Sequence, residues 1–246
     1  MSVNKRTIEI LDTTDSTNNY AMALARSGLW TPGNACIALE QSEGRGTRGK
    51  IWESHKGLNI MMSIMADTSF LSIKNQFYLS TISSLACYDI FSKYAPPGTR
   101  IKWPNDIYFN DRKAGGILIE NVIKGFNWQY SIIGIGLNIN QVNFSNTNTR
   151  AISLKQITNN TYDIIQIANE IYDAFFRRLE KLKDVSFKEI ISEYNKYLFK
   201  KGEITKLRIG SEIIDTMISG ISPDGLLETT DATNRKFTFD EVEWIF

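Results

Sequence analysis

Gly44-Arg45-Gly46-Thr47-Arg48-Gly49-Lys50, followed by Ile51-Trp52-Glu53-Ser54, is the stretch that decides the fold of this 246-residue chain. Gly44, Gly46 and Gly49 satisfy the dinucleotide fingerprint G-x-G-x-x-G, and Gly44, Gly49 and Lys50 satisfy most of the P-loop pattern. Both motifs bind phosphate only with a helix N-terminus behind the glycines. Here the apolar stretch that follows, residues 58–65, reads as a strand, and Ile51 stands where a P-loop places the hydroxyl that holds magnesium. Neither H-R-D nor D-F-G occurs, which excludes a kinase loop. What remains is a loop between strands with glycines that let the backbone approach a ligand. Arg45, Arg48 and Lys50 supply donors for phosphate or carboxylate. The loop is either a solvated hairpin turn or an anion-binding flap that orders on its ligand.

Working outward, residues 7–11 read as a strand, and Asp15-Ser16-Thr17-Asn18 caps a helix running to Gly28. Residues 35–40 form the strand that enters the loop. The apolar periodicity of 75–94 predicts a helix ended by Pro96-Pro97-Gly98. Three strands follow at 100–109, 116–123 and 129–140, joined by Asn110-Asp111-Arg112 and Lys124-Gly125 as an antiparallel meander. A polar loop at 143–149 precedes two amphipathic helices at 163–183 and 186–198. From Lys201 onward, short strands and the Ser222-Pro223-Asp224-Gly225 turn predict a small β-barrel. The fold class is α+β, with a larger unit over residues 1–198 and a small β unit over 199–246.

Apolar residues make up 42% of the chain, enough for a core. With 28 Lys and Arg against 27 Asp and Glu, the net charge of +1 argues against a general nucleic-acid binder, so any electrostatic function is local. No run approaches the ~18 apolar residues of a membrane span. Met1-Ser2-Val3-Asn4-Lys5-Arg6-Thr7 lacks the apolar core of a signal peptide. Cys36 and Cys87 fit neither a disulfide framework nor a metal spacing. These features predict a cytoplasmic protein with reduced thiols.

Two further constellations stand out. In Lys102-Trp103-Pro104-Asn105-Asp106, Pro104 cannot donate to a ladder, so the strand is bulged or lies at an edge, and Asn105 and Asp106 sit at the irregularity. Lys113 precedes Gly115-Gly116, where a ligand can approach the backbone. In Ile133-Gly134-Ile135-Gly136-Leu137-Asn138, alternating glycines bare one face of a strand for a flat ligand or for a close-packed helix. Other residues are discounted. His55, the only histidine, excludes catalytic triads and histidine metal sites and reads as an exposed loop residue. Cys87 and the methionines 61, 62 and 65 read as core, and Arg177-Arg178 as a solvated helix face.

Taken in order, Asp15-Ser16-Thr17-Asn18, Gln41, the Gly44–Gly49 loop, Trp52, Lys102-Trp103-Pro104-Asn105-Asp106, Lys113 with Gly115-Gly116-Ile117-Leu118, and Gly134-Ile135-Gly136-Leu137-Asn138 resemble the biotin protein ligase family, with a weaker echo in Glu241-Val242. The resemblance implies a mixed sheet flanked by helices, related to class II aminoacyl-tRNA synthetases, and an SH3-like C-terminal barrel. It implies ligation in two steps: biotin and ATP give biotinyl-5′-adenylate, and a lysine of a biotin carboxyl carrier domain then takes the biotin. Ser16, Thr17, Asn18 and Gln41 would lie at biotin's ureido ring, and Gly116, Gly134 and Gly136 would line its pocket. Arg45, Gly46 and Thr47 would close over it, and Lys113 would contact its carboxylate and the α-phosphate. Lys113, Arg45 and Asp106 would be the catalytic residues, the two cations by stabilising charge at the reacting phosphate. Gly44, Arg48, Trp52, Asn105, Asp106 and Asn138 would serve ATP, with Asp106 also at Mg2+.

Thr47 stands where the family commonly has arginine, Ala151 where some members place an adenine-covering tryptophan, and Asp240 where glycine is common. Some members carry an N-terminal helix-turn-helix; here the first motif begins at residue 15, so no DNA binding is expected. A monomer or a homodimer is compatible with the pattern. The rivals are a lipoate–protein ligase of the same fold and a non-catalytic nucleic-acid module using the basic loop.

Overall fold

In strands, alternate side chains point to opposite faces, and here that alternation sorts the sheet into a core face and a site face. The computed structural model describes residues 7–95, 97–145 and 150–246. The segment 1–6, Pro96 of the predicted turn and residues 146–149 of the polar loop lie outside the described residues. Strand β1 (Ile8–Thr14) runs parallel to β2 (Ala35–Gln41), and helix α1 (Thr17–Arg26) makes the crossover between them. Then come β3 (Ile60–Asp67), α2 (Gln76–Tyr94), β4 (Thr99–Lys102), β5 (Asp106–Phe109), β6 (Arg112–Lys124) and β7 (Asn127–Leu137). The seven-stranded sheet has the order β1-β2-β3-β7-β6-β5-β4, antiparallel except for its first pair.

On the core face, Ile37, Met62, Ile64, Ile133 and Ile135 join a cluster completed by α2, α4 (Ile164–Lys181) and α5 (Phe187–Lys196). Each fully buried large side chain there, such as Phe91 or Phe175, contributes roughly 1.5–3 kcal/mol. On the other face, Cys36, Met65 and Ile132 meet Ala21, Ala25 and Trp30 around α1. Because α1 is only ten residues long, it leaves the rest of this face uncovered.

The region 100–109 is a hairpin and not one strand. Pro104 cannot extend the ladder, so the chain reverses through Trp103-Pro104-Asn105, with a cis Trp103–Pro104 bond, and Lys102 pairs with Asp106. Strand β4 is the sheet edge, and the bulge falls in the next ladder, between Ile107 and Tyr108. The meander β5-β6-β7 is as expected. A further short helix, α3 (Leu154–Thr158), begins with a capping box of Ser153 and Gln156 that the sequence reading passed over. Arg178 is not simply solvated: it joins α4 to Asp89 of α2 at 2.7 Å and to Glu193 of α5 at 2.9 Å.

The chain ends in β8 (Ile204–Ile209), β9 (Glu212–Ile221), β10 (Leu227–Thr230), β11 (Asn234–Phe237) and β12 (Val242–Ile245). Their order is β11-β10-β9-β8-β12. The strands at the two ends do not pair, so the sheet is not closed into a barrel, though its five antiparallel strands are compatible with the SH3-like unit expected. It is joined firmly to the rest. Trp103 Nε1 donates to Gly225 O at 3.0 Å, Tyr78 Oη to Pro223 O at 2.7 Å, and Leu207, Ile218 and Leu227 belong to the main core. Among the described residues no helix is long and apolar enough to cross a membrane.

Candidate active site

Two adjacent rows of register cross the uncovered face. One places Met61, Gly136, Gly116 and Asp106 side by side on β3, β7, β6 and β5; the next places Cys36, Ser63, Gly134 and Leu118 on β2, β3, β7 and β6. The glycines make a floor without side chains. A Cβ on Gly134 would come within 2.3 Å of Asn18 Oδ1, and one on Gly136 within 2.6 Å of Trp52 Cε2. The bared strand therefore serves both readings in part: the first turn of α1 packs closely over Gly134, and with Trp52 over Gly136 it walls a cleft. That cleft holds about 490 Å³ of empty space counted out to its mouth, open solvent included.

One end of the cleft is polar. Ser16 takes the N-cap position of α1 but makes no capping bond, and Gln41 at the end of β2 accepts from Thr17 N at 2.7 Å instead. The Ser16 side chain is thereby left for the cleft, which it lines. Ser63 Oγ lies 2.6 Å from Asn18 Oδ1 and 2.8 Å from Thr17 Oγ1. Burial pushes the nearby Cys36 thiol up to about 12, so it stays protonated.

The other end is charged. Lys113 Nζ pairs with Asp106 Oδ1 at 2.7 Å above Gly116, whose missing Cβ would lie 3.1 Å from both. The backbone of Lys113 is fixed by Arg150 O at 2.7 Å and Ile152 N at 2.9 Å, on either side of buried Ala151. Asn138 Nδ2 donates to Lys113 O at 3.4 Å, and Asn105 Nδ2 to Ile117 O at 2.5 Å. Beyond them, the Lys102 ammonium faces the rings of Tyr108, Trp244 and Phe246 at 5.1, 5.5 and 5.1 Å. Burial pushes it down to about 8; Asp106 opposes that shift, and the charges of Lys113, Lys50 and Arg150 add to it.

The basic loop crosses the mouth as a tight hairpin: Gly46 N donates to Lys50 O at 2.7 Å and Trp52 N to Gly44 O at 2.9 Å. Arg45 turns inward, donating to Asn19 Oδ1 at 2.9 Å and pairing with Glu120 at 3.1 Å. Arg48, in the left-handed region at φ 56°, turns outward to the C-terminal sheet. Its guanidinium donates to Phe239 O, covers the Phe239 ring at 3.9 Å and pairs with Asp240 at 3.2 Å. Trp52 Nε1 is buried with no acceptor among the described residues.

Of the residues singled out from sequence, Ser16, Thr17, Asn18, Gln41, Arg45, Gly46, Thr47, Trp52, Asp106, Lys113, Gly116, Gly134 and Gly136 line the cleft. Gly44, Arg48, Asn105 and Asn138 do not. Gly44 closes the hairpin, where a Cβ would meet Trp52 O at 2.2 Å, and the two asparagines brace backbone. Met61, set aside as core, lines the cleft as well as being buried. Ser63 and Glu120 were missed. A serine at the centre of an apolar strand, Ile60-Met61-Met62-Ser63-Ile64, was the available signal for the first. Exposed His55 and buried Cys87 are as expected. Among the described residues no group of three or more His, Cys, Asp or Glu could hold a metal.

The sequence pattern of the Biotin/lipoate A/B protein ligase family matches residues 10–138. The bifunctional ligase/repressor BirA of Escherichia coli is 30% identical over 226 residues, 89% of this chain and 68% of that protein. A biotin–[acetyl-CoA-carboxylase] ligase of Paracoccus denitrificans is 30% identical over 89% of this chain and 92% of its own length. In three dimensions the chain is similar to a biotin protein ligase from Aquifex aeolicus in complex with biotin and ATP. That TM-score is 0.81 at 25% identity, over 97% of this chain and 98% of the other. It is also similar to the Leishmania major ligase in complex with biotinyl-5-AMP, with a TM-score of 0.67 at 25% identity over 94% and 98%. On the family match and on relatives of 30% identity that align with 89% of it, the chain belongs to the biotin/lipoate A/B protein ligase family.

Proposed function

We propose that the chain is an ATP-dependent biotin–protein ligase, that residues 1–198 carry its chemistry, and that it works in the cytoplasm on a biotin carboxyl carrier domain. The carrying observation is the bare floor of Gly116, Gly134 and Gly136 between a neutral polar end and the Lys113–Asp106 pair. Biotin has the same asymmetry, with a ureido ring at one end and a carboxylate at the other. Its carboxylate oxygen attacks the α-phosphorus of ATP, the bond to the bridging oxygen breaks, and pyrophosphate leaves with biotinyl-5′-adenylate formed. The acceptor lysine's neutral amine then attacks the acyl carbon, AMP departs, and the amine's proton passes to water or Asp106.

The first step brings an anion onto a polyanion, so it needs cations more than a base. Lys113 meets the developing charge at the reacting phosphate, the kind of preorganised stabilisation that dominates such steps. Lys102, Lys50 and Arg150 add positive potential beyond it. Among the described residues Asp106 is the one carboxylate lining the cleft, and it is already engaged by Lys113. Such a donor set fits Mg2+ carried in on the triphosphate rather than caged by protein, as is usual for nucleotide sites. The ion would neutralise phosphate charge there. Arg45, Gly46, Thr47 and Trp52 cover the mouth and exclude water from the anhydride. The buried Trp52 N–H is a donor awaiting an acceptor.

The polar end argues against lipoate. Thr17, Asn18, Ser63 and Gln41 offer hydrogen bonds that a dithiolane ring cannot return, and unpaired buried polar groups penalise the wrong ligand heavily. The deciding experiment is ATP–pyrophosphate exchange with each acid. Exchange that depends on biotin and not on lipoate supports the proposal; exchange with lipoate alone, or with neither, sinks it.

A further inference from the structure

Glu120 lies outside the cleft lining, yet among the described residues it is the one carboxylate that touches both the polar end of the cleft and the loop above it. On its strand it sits in register with Ile132, one step along the site face from Leu118 and Gly134. Its Oε2 accepts from Asn18 Nδ2 at 2.8 Å and from Arg45 Nη1 at 3.2 Å, and its Oε1 pairs with the same Nη1 at 3.1 Å. A carboxylate only accepts, so it forces the amide nitrogen of Asn18 toward itself. The second amide proton is turned to Leu118 O at 3.4 Å, while Ser63 donates to Oδ1 at 2.6 Å. Asn18 then has nothing but an oxygen lone pair to offer the cleft.

We infer that Glu120 is a positioning residue: it sets the end of the cleft at Asn18 to accept hydrogen bonds, and through Arg45 it ties that end to the closing loop. The inference rests on the biotin reading only in its choice of ligand, since the ureido N–H groups are what such an acceptor suits. Without Glu120, Asn18 is free to flip and present a donor to a donor. Arg45 keeps only Asn19. Glutamine at 120 separates the two effects, because its amide oxygen still accepts from Asn18 while the charge that holds Arg45 is gone.

The test compares wild type, Glu120→Gln and Glu120→Leu by biotin calorimetry, and by the rate of tryptic cleavage after Arg45 in ligand-free protein. Glu120→Leu should weaken biotin at least about tenfold, the scale of losing a hydrogen bond to a charged partner. Glu120→Gln should stay within about threefold of wild type. Both should be cut after Arg45 about two to five times faster, the scale of a part-exposed ion pair. Unchanged cleavage in Glu120→Gln overturns the tie to the loop. Equal loss of biotin in both variants, or none in Glu120→Leu, overturns the setting of Asn18. If Glu120→Leu does not fold, the glutamine variant decides through its cleavage rate. If wild type takes no biotin, the biotin reading falls by itself, and the ligand-free cleavage rates still decide whether Glu120 holds the loop.

Discussion

Gly134→Ala tests the architecture of the cleft floor most directly. The added methyl would stand 2.3 Å from Asn18 Oδ1 and 2.9 Å from Asn18 Cγ, about 1 Å inside ordinary contact. Asn18 has little room to yield. A displacement of that size stretches its bonds to Ser63, at 2.6 Å, and to Glu120, at 2.8 Å, to or beyond hydrogen-bonding range. Losing the neutral bond costs about 1 kcal/mol and the bond to the carboxylate about 1.5–3 kcal/mol, so we expect about 2–4 kcal/mol in all. Gly136→Ala is the internal control. Its methyl would stand 2.6 Å from Trp52, but the Trp52 indole has no hydrogen bond to lose among the described residues. The pair is read by urea unfolding and by calorimetric titration with biotin. Gly134→Ala should lose the stated stability and at least about tenfold in biotin affinity. Gly136→Ala should stay within about 1 kcal/mol of wild type while still weakening ligand. Wild-type stability and affinity in Gly134→Ala would refute the floor and the fixed Asn18 alike.

Three further outcomes follow from the charged groups. Lys113→Ala should lower biotin-dependent pyrophosphate exchange by at least about 100-fold without unfolding the protein; near-normal exchange in a folded variant removes Lys113 from the chemistry. Arg48→Ala should release adenylate about two to five times faster in a dissociation assay without acceptor, because it loosens the loop from Phe239 and Asp240 rather than from the nucleotide; identical rates would show that the contact holds nothing. Lys102 has a folded pKa of about 8 against an ordinary 10.5, so between those values the unfolded chain binds the extra proton and stability rises with pH. Lys102→Met should therefore be more stable than wild type below pH 8 by denaturant midpoint, with the gap narrowing toward pH 10; a gap that does not change with pH would show that the Lys102 ammonium is freely solvated.

Much of this protein is written locally in its sequence. Periodicity placed α4 and α5 to within a few residues, because an amphipathic face and its caps lie within a few turns of one another. Helix α2 was placed as closely by its apolar content and the Pro96-Pro97-Gly98 stop, although it is buried on nearly every side. The residues between Gly44 and Ser54 excluded a phosphate-binding helix N-terminus, and the glycines at 116, 134 and 136 marked a bared strand face. Which residues that face would meet was not local. The rows Met61-Gly136-Gly116-Asp106 and Cys36-Ser63-Gly134-Leu118 are completed by the pairing of β3 with β7, strands far apart in the chain, and a slip of one residue in that register would turn β3's side chains to the opposite face. Pro104 signalled a bulge or an edge strand, and the pairing of Lys102 with Asp106 decided it: the chain reverses there and β4 becomes the sheet edge. Arg45 and Arg48 are alike as residues and three positions apart, yet one meets Glu120 and the other Phe239. The tertiary structure made that choice, because an arginine's partner is set by the carboxylates and carbonyls that the fold brings within reach of its side chain.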